Sequence, residues 1–240
     1  MNSFSSKHPV IFGIILIVAA FVVTGVLTAL TTAVGFSTEG GTVIGRIVVA
    51  AVLILLFHAC FHWDKSFSGI ALAWPVLIVV AWNIVYHLME GAGFVAASAI
   101  PGAILAGLAP GLFEEVIFRG IIIDRLLASG KGVWYSLIVS ALLFALVHLT
   151  NIVGMSLANV LVQVAYSLVI GLFLGAVYLA SDDIAAVILA HASTDISNQI
   201  FATSPNVSSA VIVAVFLIVL AVLAVYALML ARKTDRKSVV

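Results

Sequence analysis

Runs of about twenty apolar residues, each long enough to make a helix that crosses a bilayer, recur along this chain. Short polar breaks separate them, and the first, residues 10–34, holds no charged side chain. Of the 240 residues, 64% are hydrophobic and 8% charged, where an ordinary soluble domain has about 25% charged. Too few polar side chains remain to cover a surface in water, so the solvent is largely lipid. The expected fold class is all-α: one polytopic membrane helix bundle over residues 1–240 with about eight transmembrane helices.

The expected spans are residues 10–34, 43–61, 69–89, 92–127, 133–149, 155–180, 184–200 and 207–231. The first is longer than the apolar core of a signal peptide and no small-residue cleavage site closes it, so it reads as a retained helix. The fourth holds Pro101 and Pro110 among several glycines and is expected to be two helices in tandem within one crossing, with 100–113 spanning or re-entrant. Lys7, Lys65, Arg125, Lys131, Arg232, Lys233, Arg236 and Lys237 all fall at the ends or loops of one side. Arg46, just inside the second span, is the exception. Basic loops stay in the cytoplasm, so a multi-pass protein of the cell membrane with both termini cytoplasmic is expected. The formal net charge is zero, and the short basic tail suits anionic headgroups, not nucleic acid. Cys60 is the single cysteine, which excludes an intrachain disulfide.

An ionisable side chain at mid-bilayer costs about 2.5–3.5 kcal/mol on insertion scales, so it usually faces the bundle interior and serves a function. Three groups qualify. Glu115 and Arg119 are four apart and face each other on a helix, where they neutralise one another. Glu114 is turned about 100° away and left available as a base. Phe144 and His148 are four apart at the end of an apolar run, and so are His191 and Asp195 further on. Taken singly, each has a bland reading: a structural ion pair, an interfacial histidine, an interhelical hydrogen bond. Together they supply a base, two imidazoles, an arginine and a further carboxylate.

These residues carry a resemblance. Glu114-Glu115-Val-Ile-Phe-Arg119, Phe144-Ala-Leu-Val-His148 and His191-Ala-Ser-Thr-Asp195 are similar, in order and spacing, to the three motifs of the CPBP intramembrane proteases, the CAAX protease and bacteriocin-processing (Abi) family. The resemblance covers residues 109–198, which it marks as the catalytic core. It implies an endopeptidase that hydrolyses a peptide bond in a membrane-associated or lipidated protein. Glu114 and His148 would activate water, His191 and Asp195 would stabilise the oxyanion, and Arg119 would hold Glu115, with Phe144 supporting. No cofactor is favoured; the alternative is zinc held by Glu114, His148, His191 and Asp195. An ionised Asp195 would repel an oxyanion, so it is protonated, orients His191 or ligates a metal.

Two other functions fit the composition: a non-catalytic membrane scaffold or escort of the same fold, and a proton-coupled transporter with the carboxylates as relay. His58, Cys60, His62 and Asp64 cluster beside Trp63 and read as a membrane-interface belt, as do His87 and Glu90. Gly171 and Gly175 have the spacing of close helix packing, within the chain or between chains.

Overall fold

The computed structural model describes residues 4–203 and 210–238. Ten α-helices follow in order: α1 (Phe4–Lys7), α2 (Pro9–Ala33), α3 (Thr38–Leu56), α4 (Val76–Met89), α5 (Ile100–Glu115), α6 (Asp124–Ala128), α7 (Val133–Val147), α8 (Leu157–Ser181), α9 (Ile184–Gln199) and α10 (Ala210–Ser238). A π-helical segment, Val116–Ile123, joins α5 to α6. No strand occurs among the described residues; a single bridge pairs Phe94 with Phe201.

Among the described residues, six helical runs are long and apolar enough to cross a membrane: Pro9–Ala33, Thr38–Leu56, Ala97–Ala128, Val133–Val153, Leu157–Ser181 and Val213–Arg236. The protein is an integral membrane protein by this measure. The expected spans 69–89 and 184–200 instead yield α4, of 14 residues, and α9, of 16. At about 1.5 Å per residue these reach about 21 and 24 Å, short of a hydrocarbon core of about 30 Å. The first is cut back because Ile70–Ala73 winds as a 3-10 turn and Pro75 caps α4. Residues 207–209 of the last expected span lie outside the described residues.

The fourth expected span departs from its sequence reading. It is one continuous helical run of 32 residues, Ala97–Ala128, not two helices in tandem. Pro101 sits in the first turn of α5, where its missing N–H has no helical partner to lose. Pro110 is carried inside α5. The winding changes further on, in the π segment, where all eight residues are buried.

Small residues hold this central run against α9. A Cβ on Gly107 would stand 2.5 Å from the Ile196 backbone nitrogen, and one on Gly111 would stand 2.8 Å from that of Ala192. The two glycines, four apart, let the backbones touch, which in lipid replaces the missing hydrophobic drive between helices. Gly171 and Gly175 act the same way within the chain, bringing α8 against Ala141 and Leu137 of α7.

Side-chain contacts fix which helix ends lie together. At one end, Phe12 of α2 meets Phe57 after α3, Arg125 of α6 donates to Cys60, His62 pairs with Asp182 after α8, and Tyr226 of α10 donates to the Leu72 carbonyl. Asp183 caps α9 at this end and accepts from the Gly69 N–H at 2.9 Å. At the other end, the Val95 N–H donates to the Ile200 carbonyl, Ala202 to Gly93, and Asn151 to Gln163.

Gly107→Val should force α5 off α9. We expect a loss of about 1–3 kcal/mol or more from overpacking, seen as a lower thermal midpoint and less monodisperse protein in detergent; an unchanged midpoint would refute the close-packing role.

Candidate functional site

The last turn of α5 and the π segment present Glu114, Glu115 and Arg119. Glu115 and Arg119 are completely buried and joined at 2.7 Å. The guanidinium also donates to the Gly171 carbonyl of α8 at 3.2 Å and lies 4.5 Å from the centre of the Phe144 ring of α7. Glu115 Oε1 has a second partner: His191 Nδ1 of α9, 2.7 Å away. A carboxylate only accepts, so the imidazole donates through Nδ1. One carboxylate oxygen thus ties together the central run and α9, and Arg119 extends the tie to α7 and α8.

His191 Nε2, the ring's other nitrogen, lies 3.9 Å from Glu114 Oε2 and 3.6 Å from Asp195 Oδ2. Orientation of the ring therefore comes from Glu115, while Asp195 stands on the opposite side of it. His148 begins the 3-10 turn His148–Val153 after α7. Its Nδ1 donates to the Phe144 carbonyl at 2.9 Å, leaving Nε2 uncommitted in that bond. Phe144 is the common wall: its ring is 5.2 Å from that of His148 and 5.7 Å from that of His191.

Glu114, His148, His191 and Asp195 all line one cavity of about 260 Å³. Phe144 lines it as well, whereas Glu115 and Arg119 lie outside its lining and support it. Thr150, Asn151, Gln163, Tyr166, Thr194 and Gln199 contribute further polar groups. Sequence reasoning did not mark these as site residues, because single polar residues near helix ends look like ordinary interface positions. Arg46 of α3, the cation out of place in the charge pattern, also lines this cavity; that exception was the signal available in the sequence.

The cluster of His58, Cys60, His62 and Asp64 does not converge. His58 Nδ1 bonds the Leu55 carbonyl, His62 pairs with Asp182 at 2.8 Å, and Cys60 is buried beneath Arg125. Burial, reinforced by Asp124, pushes the Cys60 thiol up to about 11. His87 is buried, stacked on Phe201 and bonded to the Asn83 carbonyl. His191 commits Nδ1 to Glu115 and presents Nε2 towards Glu114 and Asp195, an arrangement that a metal-bound imidazole also has. Among the described residues, no three His, Cys, Asp or Glu side chains are gathered as ligands of one ion.

Residues 96–197 match the family model described as Rce1-like, type II CAAX prenyl endopeptidase Rce1-like. No curated protein and no solved structure matches the chain.

Glu115→Gln removes the charge that compensates Arg119, and breaking a buried pair from one side costs about 3–5 kcal/mol. We expect a large fall in the yield of folded protein from membranes, greater than for Glu114→Gln. Equal yields of the two variants would refute the supporting role of Glu115.

Proposed function

Starting from the CPBP/CAAX protease family, which the match over residues 96–197 supports, we propose that this protein is an intramembrane endopeptidase that cleaves a membrane-associated or lipidated protein with a glutamate-activated water. The observation that carries the proposal is the meeting of Glu114, His148, His191 and Asp195 around one cavity. They come from three separate segments of the chain, and charge of this kind is costly in lipid unless it serves a purpose.

In the proposed reaction Glu114, assisted by His148, takes a proton from water as its oxygen attacks the carbonyl carbon of the scissile bond. The C–N bond then breaks, and the proton passes from Glu114 to the departing amine. Between these steps the carbonyl oxygen carries negative charge. A doubly protonated His191 donates to it through Nε2, while Nδ1–H stays on Glu115. Asp195, 3.6 Å from Nε2, balances that imidazolium instead of facing the oxyanion. Arg46, in the same cavity, offsets the excess of carboxylates. The cavity wall of Phe144, Ile170 and Phe21 limits the water that reaches the reacting bond.

We propose further that the reaction runs on these side chains without a metal ion, in the plasma membrane, with both termini cytoplasmic. The scaffold and transporter readings leave the meeting of base, imidazoles and carboxylate around one cavity without a purpose as specific.

Glu114→Gln should lower cleavage by about 10²–10⁴-fold, the usual worth of general acid–base catalysis, while the protein still inserts. Mass spectrometry of protein termini in host membranes, wild type against the variant at matched levels, reads this directly; equal sets of termini would overturn the base assignment. Chelation of the purified enzyme should leave its rate unchanged. A loss on chelation restored by added zinc would replace the metal-free mechanism.

A further inference from the structure

The cavity is not placed evenly between the two ends of the bundle. Its rim is made of Thr150 and Asn151, in the turn after α7, Gln163, early in α8, and Gln199, the last residue of α9. Thr150 and Gln199 are exposed, whereas Glu114, Phe144 and His191 at its floor are buried. Gln199 adjoins Ile200, whose carbonyl accepts from Val95, and Asn151 donates to Gln163. These are the contacts of one end of the bundle.

The basic residues mark the other end. Lys65 lies in the connection after α3 whose neighbours His62 and Gly69 contact Asp182 and Asp183, and Arg125 joins the same region through Cys60. Lys7, Lys131 and the basic residues in the last turns of α10 sit at helix ends on this side by chain connection. Of ten lysines and arginines, only Arg46 and Arg119 fall elsewhere, and Arg46 lines the cavity. Between the floor and the basic end stand the buried π segment Val116–Ile123, Leu126, Phe173 and Leu174. Arg119, the one charged side chain in that plug, is committed to Glu115 and Gly171.

We infer that the cavity opens on the membrane face opposite the basic loops, so that water and substrate enter from the non-cytoplasmic side. The substrate class follows, resting on the endopeptidase proposed above. The scissile bond belongs to an exported segment, or to the outer half of a membrane-spanning one, and not to a cytoplasmic tail. The rim suits such a chain. It offers amide and hydroxyl groups that bond to extended backbone, and Arg46, in the same cavity, donates to a carboxylate of the substrate.

The test uses the full chain in its host membrane. Thr150→Cys and Gln199→Cys are each placed in a Cys60→Ser background, with Lys65→Cys as the reference for the opposite face. A membrane-impermeant maleimide is applied to intact cells and, in parallel, to permeabilised ones. The expected result is labelling of the rim cysteines in intact cells, with Lys65→Cys unlabelled until permeabilisation. Labelling of Lys65→Cys from outside, or rim cysteines that react only after permeabilisation, would overturn the inference. So would rim cysteines that never react while Lys65→Cys does. Either rim variant suffices if the other fails to fold. Labelling does not depend on turnover, so failure of the protease reading would appear separately, as unchanged termini for Glu114→Gln.

Discussion

A single carboxylate oxygen, Glu115 Oε1, organises this bundle. It accepts from Arg119 on its own helical run and from His191 on α9, each at 2.7 Å, with no exposure of Glu115 to solvent. In the dry interior of the bundle no water can replace either member of the Glu115–Arg119 pair, so separating them is far more costly than parting two apolar helices. Because Arg119 reaches on to the Gly171 carbonyl and the Phe144 face, one charge pair fixes the relative positions of four helical elements. The reactive groups take their places from it: His191 is oriented by Glu115 directly, and Phe144 carries His148 four residues further along.

Such a tie works only if the helices approach closely enough. Gly107 and Gly111 bring α9 against α5, and Gly171 and Gly175 bring α8 against α7. Packing and electrostatics are therefore coupled: a side chain at any of these glycines would also lengthen the bonds made at Glu115.

Much of the site was legible because α-helical spacing turns sequence into faces. The four-residue intervals of Glu115 with Arg119 and of His191 with Asp195 gave two of the contacts now seen. What spacing could not give was the link between motifs. The bond from His191 to Glu115 joins residues far apart in sequence, and no local pattern announces it. Hydropathy made α4 and α9 full-length spans where the helices are shorter, because it measures solubility in lipid, not where winding begins; the Ile70–Ala73 turn is as apolar as a helix. Pro110 misled in the opposite way. Its lost donor pointed to a break, yet neighbouring elements carry the run through intact. Asn151, Gln163 and Gln199 matter only through where the fold puts them.

The π winding of Val116–Ile123 has one more consequence. A π turn accommodates an additional residue relative to the α-helix, so this segment acts as a fixed register offset between α5 and α6. Were it to relax to ordinary winding at the same length, everything on one side of it would rotate by about 100° about the helix axis. The Ser140 hydroxyl, which donates to the Phe118 carbonyl at 2.9 Å, would lose its acceptor. The coil thus sets the angular phase between the helix that carries the two glutamates and the helix that ends at the basic loop. A change of winding here without a matching change of length is screened out by geometry even where each individual side chain would be tolerated.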